Sequence, residues 1–310
     1  MSEYYARFLE ALAHGSVRRR TDLKTGSEAI YRDDILICKD SDDPLSEPDL
    51  SEDIRVQPHL VLFGAGHIGK ALYDLAVLQD MKVTVLDPRE DQNNVQRFPK
   101  ATRLVGEYDE LLDKDYPDIV APYYCIFTHG HRFDSQCLLY ALRHPSSYIG
   151  MIGSRAKIEH CFERVREQGI SEEQLLSVHS PIGLPINAVT PQEIAISIMA
   201  QIISVFRENK SIITIDAAVL EKAASSSGIM ARIVESSGSA PRSTGSMMFV
   251  TEDEIVGTVG GGSIESHTIL LARQMLGTGE ALRIEHHTLT ADQPLGMVCG
   301  GDSTILLKRV

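Results

Sequence analysis

One motif near residue 64 constrains the fold of this chain more than any other feature. A short apolar run that ends at Phe63 leads into the pattern Gly-x-Gly-x-x-Gly, and a helical pattern follows from Ile68. In such a motif the first glycine, Gly64, permits a tight turn, Gly66 lets a pyrophosphate approach the backbone, and Gly69 lets the helix pack closely on the strand. The motif therefore predicts a Rossmann-type strand, turn and helix.

The residues that follow this motif extend the same pattern. The second β-rich run ends at Asp87, 18 residues after Gly69, where an acidic residue would bond the ribose 2′-hydroxyl of a dinucleotide. His67 lies within the motif and Arg89 lies just after the acidic residue, so both join the candidate nucleotide-binding residues. The alternative is a Rossmann fold that keeps its glycines for packing and binds something else, or nothing.

Three regions can be distinguished along the chain. Residues 56–210 alternate short β-rich runs with helical stretches, which is typical of a parallel sheet covered by helices, and a capping box at Thr190 predicts the start of the last helix. Residues 211–310 are predicted to form a small α+β domain. Residues 1–55 begin with a helical pattern and end in an acidic stretch, 40–53, which we interpret as a solvated linker. The predicted fold class is α/β, with a Rossmann-like parallel-sheet domain and a smaller α+β domain.

The composition is that of a globular protein, since 310 residues are enough for about two domains and 43% of them are hydrophobic. The net charge of −13 disfavours binding to nucleic acid or to an anionic membrane. No run approaches the roughly 18 apolar residues of a membrane span, and the charges of Glu3, Arg7 and Glu10 do not fit a signal peptide. Five scattered cysteines favour neither a disulfide framework nor a zinc knuckle. We therefore expect a cytoplasmic protein whose partners are small molecules or other proteins.

Two histidines and an aspartate follow the third β-rich run of the predicted parallel sheet, at the edge where ligands of such folds collect. His129, His131 and Asp134 could hold a divalent metal, or the histidines could act as catalytic acid and base. Asp134 is equally well placed to be the N-cap of the next helix. Further on, Ser154 and Arg155 begin another helix, where free amides and positive charge predict an anion-binding turn.

The predicted small domain holds three further candidates. Arg242 is the only charged residue of a loop that follows a strand, and Gly260–Gly262 precede a helix. Because consecutive glycines lose much conformational entropy on folding, we expect their backbone to pass close to something, either the sheet or a phosphate. Cys299 precedes two glycines that leave its sulfur accessible, so it is either a reactive or metal-binding thiol or a small buried hydrophobic residue.

The motifs of both domains resemble one family, the xanthine dehydrogenase accessory proteins. Three segments resemble its XdhC/CoxI domain: Gly-Ser-Ala-Pro-Arg (238–242), Gly-Gly-Gly-Ser-Ile-Glu (260–265) and Cys-Gly-Gly (299–301). Six further segments resemble its C-terminal Rossmann domain: Gly-Ala-Gly-His-Ile-Gly (64–69), Asp-Pro-Arg (87–89), Thr-His-Gly-His (128–131), Ile-Gly-Ser-Arg (152–155), Pro-Ile-Gly-Leu (181–184) and Thr-Pro-Gln-Glu-Ile-Ala (190–195). The regions that carry these motifs make up about four fifths of the chain.

The chain departs from the family pattern in two respects. In the family the XdhC/CoxI domain comes first and the Rossmann domain last, whereas here the order is reversed. We interpret this as a circular permutation in which residues 1–55 complete the small domain and Met1 lies near Val310. In addition, Ser263 stands where many relatives have cysteine, so Cys299 is the sole motif thiol and a role that needs two thiols is not expected.

The resemblance implies a maturation factor for molybdenum hydroxylases such as xanthine dehydrogenase. Such a chaperone binds the molybdenum cofactor (molybdopterin), assists its sulfuration by a cysteine desulfurase and passes it to the hydroxylase. In this chain Arg242 and the Gly260–Ser263 amides would hold the pterin phosphate, with Glu265 in the same motif, and Cys299 would lie near the molybdenum as catalytic residue and metal ligand. The resemblance also implies a homodimer.

The Rossmann motif leaves the nucleotide and the chemistry open. The Gly64–Gly69 loop with Asp87 would hold NAD(P) or FAD. The alternative function is therefore an NAD(P)- or FAD-dependent oxidoreductase in which His129 or His131 donates a proton. A third hypothesis is a nucleotide-sensing partner of the hydroxylase that never touches molybdenum.

Overall fold

The structure is a computed structural model with two compact units. It describes residues 2–41, 45, 48–114, 116, 119–129, 133–208, 211–238, 244–289 and 301–310. The two-sheet unit, as we call it, consists of Met1–Leu12, Ser16–Gln57 and Ser211–Val310. The parallel-sheet unit consists of Ala13–Gly15 and Pro58–Lys210.

The elements follow the chain through the two-sheet unit, the parallel-sheet unit and back. The first group is α1 (Glu3–Ala13), β1 (Val17–Thr21), β2 (Glu28–Arg32), β3 (Ile35–Lys39) and β4 (Leu50–Val56). The second group is β5 (His59–Phe63), α2 (His67–Leu78), β6 (Lys82–Leu86), β7 (Thr102–Leu104), α3 (Tyr108–Leu112), β8 (Pro122–Ile126), α4 (Asp134–Arg143), β9 (Tyr148–Met151), α5 (Arg155–Arg166), α6 (Glu172–Leu176) and α7 (Pro191–Phe206). The third group is β10 (Ile213–Ile215), α8 (Ala217–Ser225), β11 (Ile229–Gly238), β12 (Met247–Val250), β13 (Ile255–Gly257), α9 (Gly262–Thr278), β14 (Leu282–Leu289) and β15 (Gly301–Arg309). Within the described ranges, no helix is both long and apolar enough to cross a bilayer.

The parallel-sheet unit has the strand order of a Rossmann fold. Its five strands are all parallel and lie in the order β7-β6-β5-β8-β9. The order reverses between β5 and β8, which are neighbours with Phe63 opposite Ile126. In such sheets ligands bind outside the carboxyl ends of the strands at this reversal. The predicted α/β fold class with a Rossmann-like parallel-sheet domain is confirmed.

The central strand β5 contributes to a core on each face of the parallel sheet. All of its residues are buried, as expected for a strand covered by helices on both sides. Leu60 and Leu62 pack in the core beneath α2 and α7, whereas Val61 and Phe63 pack in the core beneath α4 and α5. Because the side-chain period of a strand is two residues, alternate residues of β5 fill the cores on its two faces, and the glycine turn follows its carboxyl end.

The two-sheet unit contains two five-stranded sheets. The sheet β13-β12-β11-β15-β14 is antiparallel throughout, and the sheet β10-β4-β1-β2-β3 is antiparallel except for the parallel pair β10 and β4. Helix α9 lies on the first sheet, where Ile264, Leu271 and Met275 pack against Ile305 of β15. This contact positions the glycine run that precedes α9.

A buried ionic network joins the two sheets of this unit. Arg19 on β1 donates through Nε and Nη2 to Oε2 of Glu52, at 3.2 and 3.0 Å. Arg232 on β11 donates to the same oxygen and, through Nη2, to Oε1 of Glu28 at 2.8 Å. Burial opposes ionisation of Glu28, but the charges of the two arginines outweigh it and lower the pKa of that carboxyl. The network links β1, β2 and β4 to β11.

The interpretation of residues 40–53 as a solvated linker is wrong for part of the stretch, because β4 extends into it and pairs with β1. Asp53 accepts a hydrogen bond from Nε of Arg18 on β1 at 2.9 Å. Asp40 is paired with Lys308 of β15. These two acidic side chains are thus partners of basic side chains on other strands, which reduces the self-repulsion that predicted a linker.

The first and last described residues contact the same short stretch of the two-sheet unit. The backbone N–H of Ser2 donates to the carbonyl of Ala224 at 3.1 Å. Val310 and Gly228 exchange two backbone hydrogen bonds of 2.9 and 3.1 Å. The pieces of chain on either side of the parallel-sheet unit therefore share one unit.

Candidate functional site

The glycine turn between β5 and α2 gives each glycine a distinct surrounding. Gly64 has a φ of +128°, and a Cβ there would lie 2.4 Å from the carbonyl oxygen of Phe127. A Cβ at Gly69 would lie 2.2 Å from the carbonyl oxygen of Gly64. A Cβ at Gly66, by contrast, would meet no described atom within 4 Å. Gly64 and Gly69 are therefore required by packing, whereas Gly66 leaves open space beside the start of α2.

That open space fits a phosphate group. Gly66 is the N-cap of α2 and has no side chain that could cap the helix amides. His67 is the exposed first residue of the helix. Backbone N–H groups in the first turn of a helix have no partner within the helix, and the helix dipole favours an anion there. The residues of the turn are thus compatible with the pyrophosphate of NAD(P) or FAD.

Asp87 is held tightly at the end of β6. The backbone N–H of Ala65 donates to its Oδ2 at 2.7 Å, and the guanidinium of Arg89 donates to Oδ1 at 2.9 Å and Oδ2 at 2.6 Å. Burial opposes ionisation, but these hydrogen bonds outweigh it and lower the pKa of Asp87. The carboxylate therefore positions the glycine turn, and a ribose hydroxyl would have to share its oxygens with Arg89.

The segment after β8 lies beside the glycine turn. Thr128 donates through its backbone N–H and Oγ1 to Oδ1 of Asp134, at 3.2 and 2.6 Å. Asp134 is the first residue of α4 rather than its N-cap, which is Phe133, so the capping role considered for Asp134 is wrong. Its carboxylate instead holds Thr128, just after β8, through these two hydrogen bonds. His129 is exposed at this edge, whereas His131 lies outside the described residues.

The next strand places a second helix start at the same edge. Ser154 is the N-cap of α5 and makes no side-chain capping bond, and Arg155 is the first helical residue. Both side chains are exposed. Because β5, β8 and β9 are adjacent and parallel, Gly66, His129 and Ser154 follow neighbouring strand ends. The structure therefore gathers the described candidates of this unit along one edge of the sheet.

In the two-sheet unit, the glycine run before α9 has a conformation that favours glycine at each position. Gly260, Gly261 and Gly262 have φ values of +132°, +74° and +64°. Glu265 accepts a hydrogen bond from the backbone N–H of Gly261 at 3.1 Å and another from the hydroxyl of Thr258. Glu265 therefore acts as a tether for the loop.

The outer side of this loop is open. A Cβ at Gly261 would meet no described atom within 4 Å. An open depression of about 680 Å³ is lined by Gly262, Ser263, Glu265 and His267, among others. The loop thus leaves room for an anionic group beside the start of α9, while Arg242 and Cys299, the other candidates of this domain, lie outside the described residues.

The four described cysteines are buried, and none is poised for reaction. Burial raises the pKa of the Cys38 thiol to about 11 and raises those of Cys125, Cys137 and Cys161 as well. A buried thiol with a raised pKa carries little nucleophilic thiolate at neutral pH. A reactive-thiol role would therefore fall to Cys299.

One group of potential ligands was missed by the sequence analysis. His267 on α9 lies beside Glu285 and His287 on β14, with ligand atoms all within 4.8 Å of one another. The alternation Glu-x-His at 285–287 was a signal, because residues two apart on a strand share a face. The position of α9 over that face could not be read from spacing.

Comparison with known proteins identifies the relatives of both units. A family model described as the XdhC Rossmann domain matches residues 60–202, and one described as the XdhC and CoxI family matches residues 221–287. Together the two matches cover about two thirds of the chain. Their order along the chain is Rossmann domain first, XdhC and CoxI domain second.

Individual relatives match part of the chain. The uncharacterized protein YqeB of Escherichia coli K12 is 33% identical over 48% of this chain and 28% of its own length. A protein of Bacillus subtilis strain 168, named as a probable subunit of xanthine dehydrogenase, is 29% identical over 48% of this chain and 43% of its own length. A crystal structure of a xanthine dehydrogenase from Bacillus halodurans has 24% identity and a TM-score of 0.49, and the match covers 66% of this chain and 65% of that one.

The chain thus matches less than half the length of each of these two curated relatives. The family matches nevertheless take in the glycine turn at Gly64–Gly69 in one unit and the glycine run at Gly260–Gly262 in the other. Both loops have backbone conformations that require glycine. The chain therefore belongs to the XdhC and CoxI family, with the family's Rossmann domain preceding its XdhC and CoxI domain.

Proposed function

We propose that this protein is an accessory factor of a xanthine dehydrogenase-like molybdenum hydroxylase, which binds the molybdenum cofactor and assists its sulfuration and insertion. The observation that carries the proposal is the presence of both family domains in one chain. The Bacillus subtilis relative, whose name ties it to xanthine dehydrogenase, supports the same client class. A cysteine desulfurase as second partner and a homodimer are further parts of this proposal.

The two-sheet unit would hold the pterin. The open outer side of Gly261 and the amides at the start of α9 are suited to its phosphate, with Arg242 adding a charge-assisted hydrogen bond. Glu265 keeps the loop in place from the inner side. The cofactor supplies the molybdenum centre that the desulfurase sulfurates, and Cys299 would lie beside that centre.

The parallel-sheet unit would bind a dinucleotide, NAD(P) or FAD. Its turn at Gly66 is open, and Asp87, which is paired with Arg89, accepts a hydrogen bond from the turn at Ala65. The exposed residues His67, Ser154 and Arg155 lie at helix starts along the same sheet edge and would add phosphate contacts.

A second candidate function follows from one observation in this unit. Exposed His129 and open Gly66 come after neighbouring parallel strands at the point where the strand order reverses. That is the place where an oxidoreductase would bring a proton donor near a nicotinamide or flavin. An NAD(P)- or FAD-dependent oxidoreductase is therefore the alternative to test.

The deciding experiment is purification of the full chain from cells that make the molybdenum cofactor, followed by assays for molybdenum and pterin. We expect both to copurify in equal amounts. We expect Arg242→Ala and Cys299→Ala to lose most of them, with Cys161→Ala, a buried cysteine of the other unit, as the matched control. Protein that is free of molybdenum and pterin, yet oxidises NADH with a substrate and loses this activity in His129→Ala, would overturn the proposal in favour of the oxidoreductase.

A further inference from the structure

Two histidines and a glutamate meet where α9 lies over the edge strand β14. Nε2 of His267 is 3.8 Å from Oε1 of Glu285, and one ligand atom from each of His267, Glu285 and His287 lies within 4.8 Å of the other two. The rings of His267 and His287 are nearly perpendicular, with centroids 5.0 Å apart. Within the described parts of the chain, this is the one group of three such side chains close enough to share a metal ion.

The strand register explains why the two β14 side chains face α9. Glu285 and His287 are two residues apart, and their cross-strand neighbours on β15 are Ile305 and Ser303. Ile305 belongs to the core beneath α9, so the face of the sheet that it shares with Glu285 and His287 is the face toward this helix. His286 points to the opposite face, where its Nδ1 lies 3.0 Å from Oγ1 of Thr304.

Buried polar atoms at this place have no partner among the described residues. Nε2 of His287 and Oγ of Ser303 are buried, and neither finds a hydrogen bond there. An unsatisfied buried polar atom costs about 1–3 kcal/mol, and native structures contain few of them. Among the described residues, Nε2 of His287 is therefore available to coordinate a ligand.

We propose that His267, Glu285 and His287 form a binding site for a divalent transition-metal ion of the Zn²⁺ class. Two imidazoles and a carboxylate are a donor set that such ions prefer, and sites of this composition keep a further position open. Bonds of about 2.0–2.2 Å in a tetrahedral site place the ligand atoms about 3.5 Å apart. Side-chain rotations that move the ligand atoms by about an ångström therefore complete the geometry.

The open coordination position would face solvent on the side of His267. The His267 side chain is 45% exposed, and His267 lines the same depression as Gly262 and Ser263. Water or an anion could therefore complete the coordination shell. The site consists of residues outside those assigned to the pterin or the nucleotide, so it stands independently of the proposed function.

The test is a Zn²⁺ titration of the full chain, without a histidine tag, in competition with a chromophoric chelator. We expect one ion per chain. His267→Gln changes a residue on the helix surface, and Glu285→Gln keeps the shape of the side chain. Loss of a group that only supports a metal ligand weakens metal affinity by roughly 10–100-fold, and each of these variants should weaken the Zn²⁺ affinity by more than that. Circular dichroism checks that both variants remain folded.

Two controls separate this site from adventitious binding. His286→Gln removes the adjacent histidine on the other face and should leave the Zn²⁺ affinity unchanged. Co²⁺ in place of Zn²⁺ should give a visible spectrum of nitrogen and oxygen ligation without a thiolate band. Unchanged Zn²⁺ affinity in folded His267→Gln, or a thiolate band that disappears in Cys299→Ala, would overturn the proposal.

Discussion

Gly66 and Gly69 belong to one turn but have different neighbours. We expect Gly69→Ala to destabilise the protein by about 1–3 kcal/mol, because its Cβ would lie 2.2 Å from a backbone oxygen that cannot move aside. Gly66→Ala should change stability little, because its Cβ enters open space, but should weaken binding of a dinucleotide. Urea unfolding and a fluorescence titration with NADH measure the two effects. Equal losses of stability in both variants would contradict this division.

The stabilisation that Asp87 provides depends on pH. Its pKa is lower in the folded protein than in the unfolded chain, so its stabilisation is fully present above the unfolded value of about 3.9 and is lost as the pH falls through the folded value. We expect Asp87→Asn to cost about 1.5–3 kcal/mol at neutral pH, the range for hydrogen bonds to a charged group. The gap in unfolding free energy between wild type and variant should be constant above about pH 5 and narrow below about pH 4.

Urea unfolding across this pH range checks the expectation. Asp74→Asn is the matched control, because Asp74 forms an exposed ion pair with Lys70 on α2. Such pairs contribute little to the free energy of unfolding. A gap that stays constant down to pH 3 would show that the carboxylate charge of Asp87 does not matter for the turn.

Single residues differed in how far the sequence could predict them. The roles of Gly64, Gly66 and Gly69 followed from the motif, since strand, turn and helix are contiguous and need no information from elsewhere. The group of His267, Glu285 and His287 could not be predicted in this way. It depends on the register of β14 with β15 and on the packing of α9, both of which are tertiary features.

At the scale of elements, β4 carries neighbouring acidic residues with very different surroundings. Glu52 is buried between Arg19 and Arg232, whereas Asp53 forms a partly exposed pair with Arg18. We expect Glu52→Gln to cost about 3–5 kcal/mol, because it leaves buried arginine charge uncompensated. Asp53→Asn should cost no more than about 1 kcal/mol, as is usual for exposed pairs.

Chemical denaturation of both variants measures this difference. They lie next to each other in sequence and each loses one carboxylate charge, so net charge and chain position are matched. Similar losses in the two variants would show that the buried network does not hold the sheets together.

The same strand shows why some elements could be predicted and others could not. The capping box at Thr190 and Glu193 predicted the start of α7, and both of its hydrogen bonds are present, because capping is local. The acidic stretch before Val56 indicated a linker because its charges were considered without the basic residues of other strands. Its strand forms because β1 supplies arginines opposite it and β10 pairs with it across some 160 residues, where Ile54 faces Ile213.

At the scale of the whole molecule, the parallel-sheet unit interrupts the two-sheet unit. The strands β1–β4 lie before it in the chain and β10–β15 lie after it, yet they share one unit through the network at Arg232 and the pair of Lys308 with Asp40. Such a unit can tolerate a change in the order of its pieces, because its contacts depend on position in space rather than on position in the chain.

We therefore predict that the order of the two matched domains along the chain can be reversed without loss of the fold. The permuted chain would begin at Ser211, join Val310 to Met1 by a short Gly-Ser linker and end at Lys210. A short linker should suffice, because Ser2 contacts Ala224 and Val310 contacts Gly228, only a few residues apart. We expect an unfolding free energy within about 2 kcal/mol of the original, since each doubling of a flexible loop costs only about 0.6 kcal/mol.

Near-ultraviolet circular dichroism and urea unfolding of the permuted chain provide the measurement. The control is a chain opened inside β11, between Ile233 and Val234, with the same linker, which should not fold because this strand pairs with both β12 and β15. If the chain opened at Ser211 fails to fold in the same way, residues 1–55 and 211–310 depend on the connection through the parallel-sheet unit. The two-sheet unit would then owe its formation to the order of the chain and not only to its contacts.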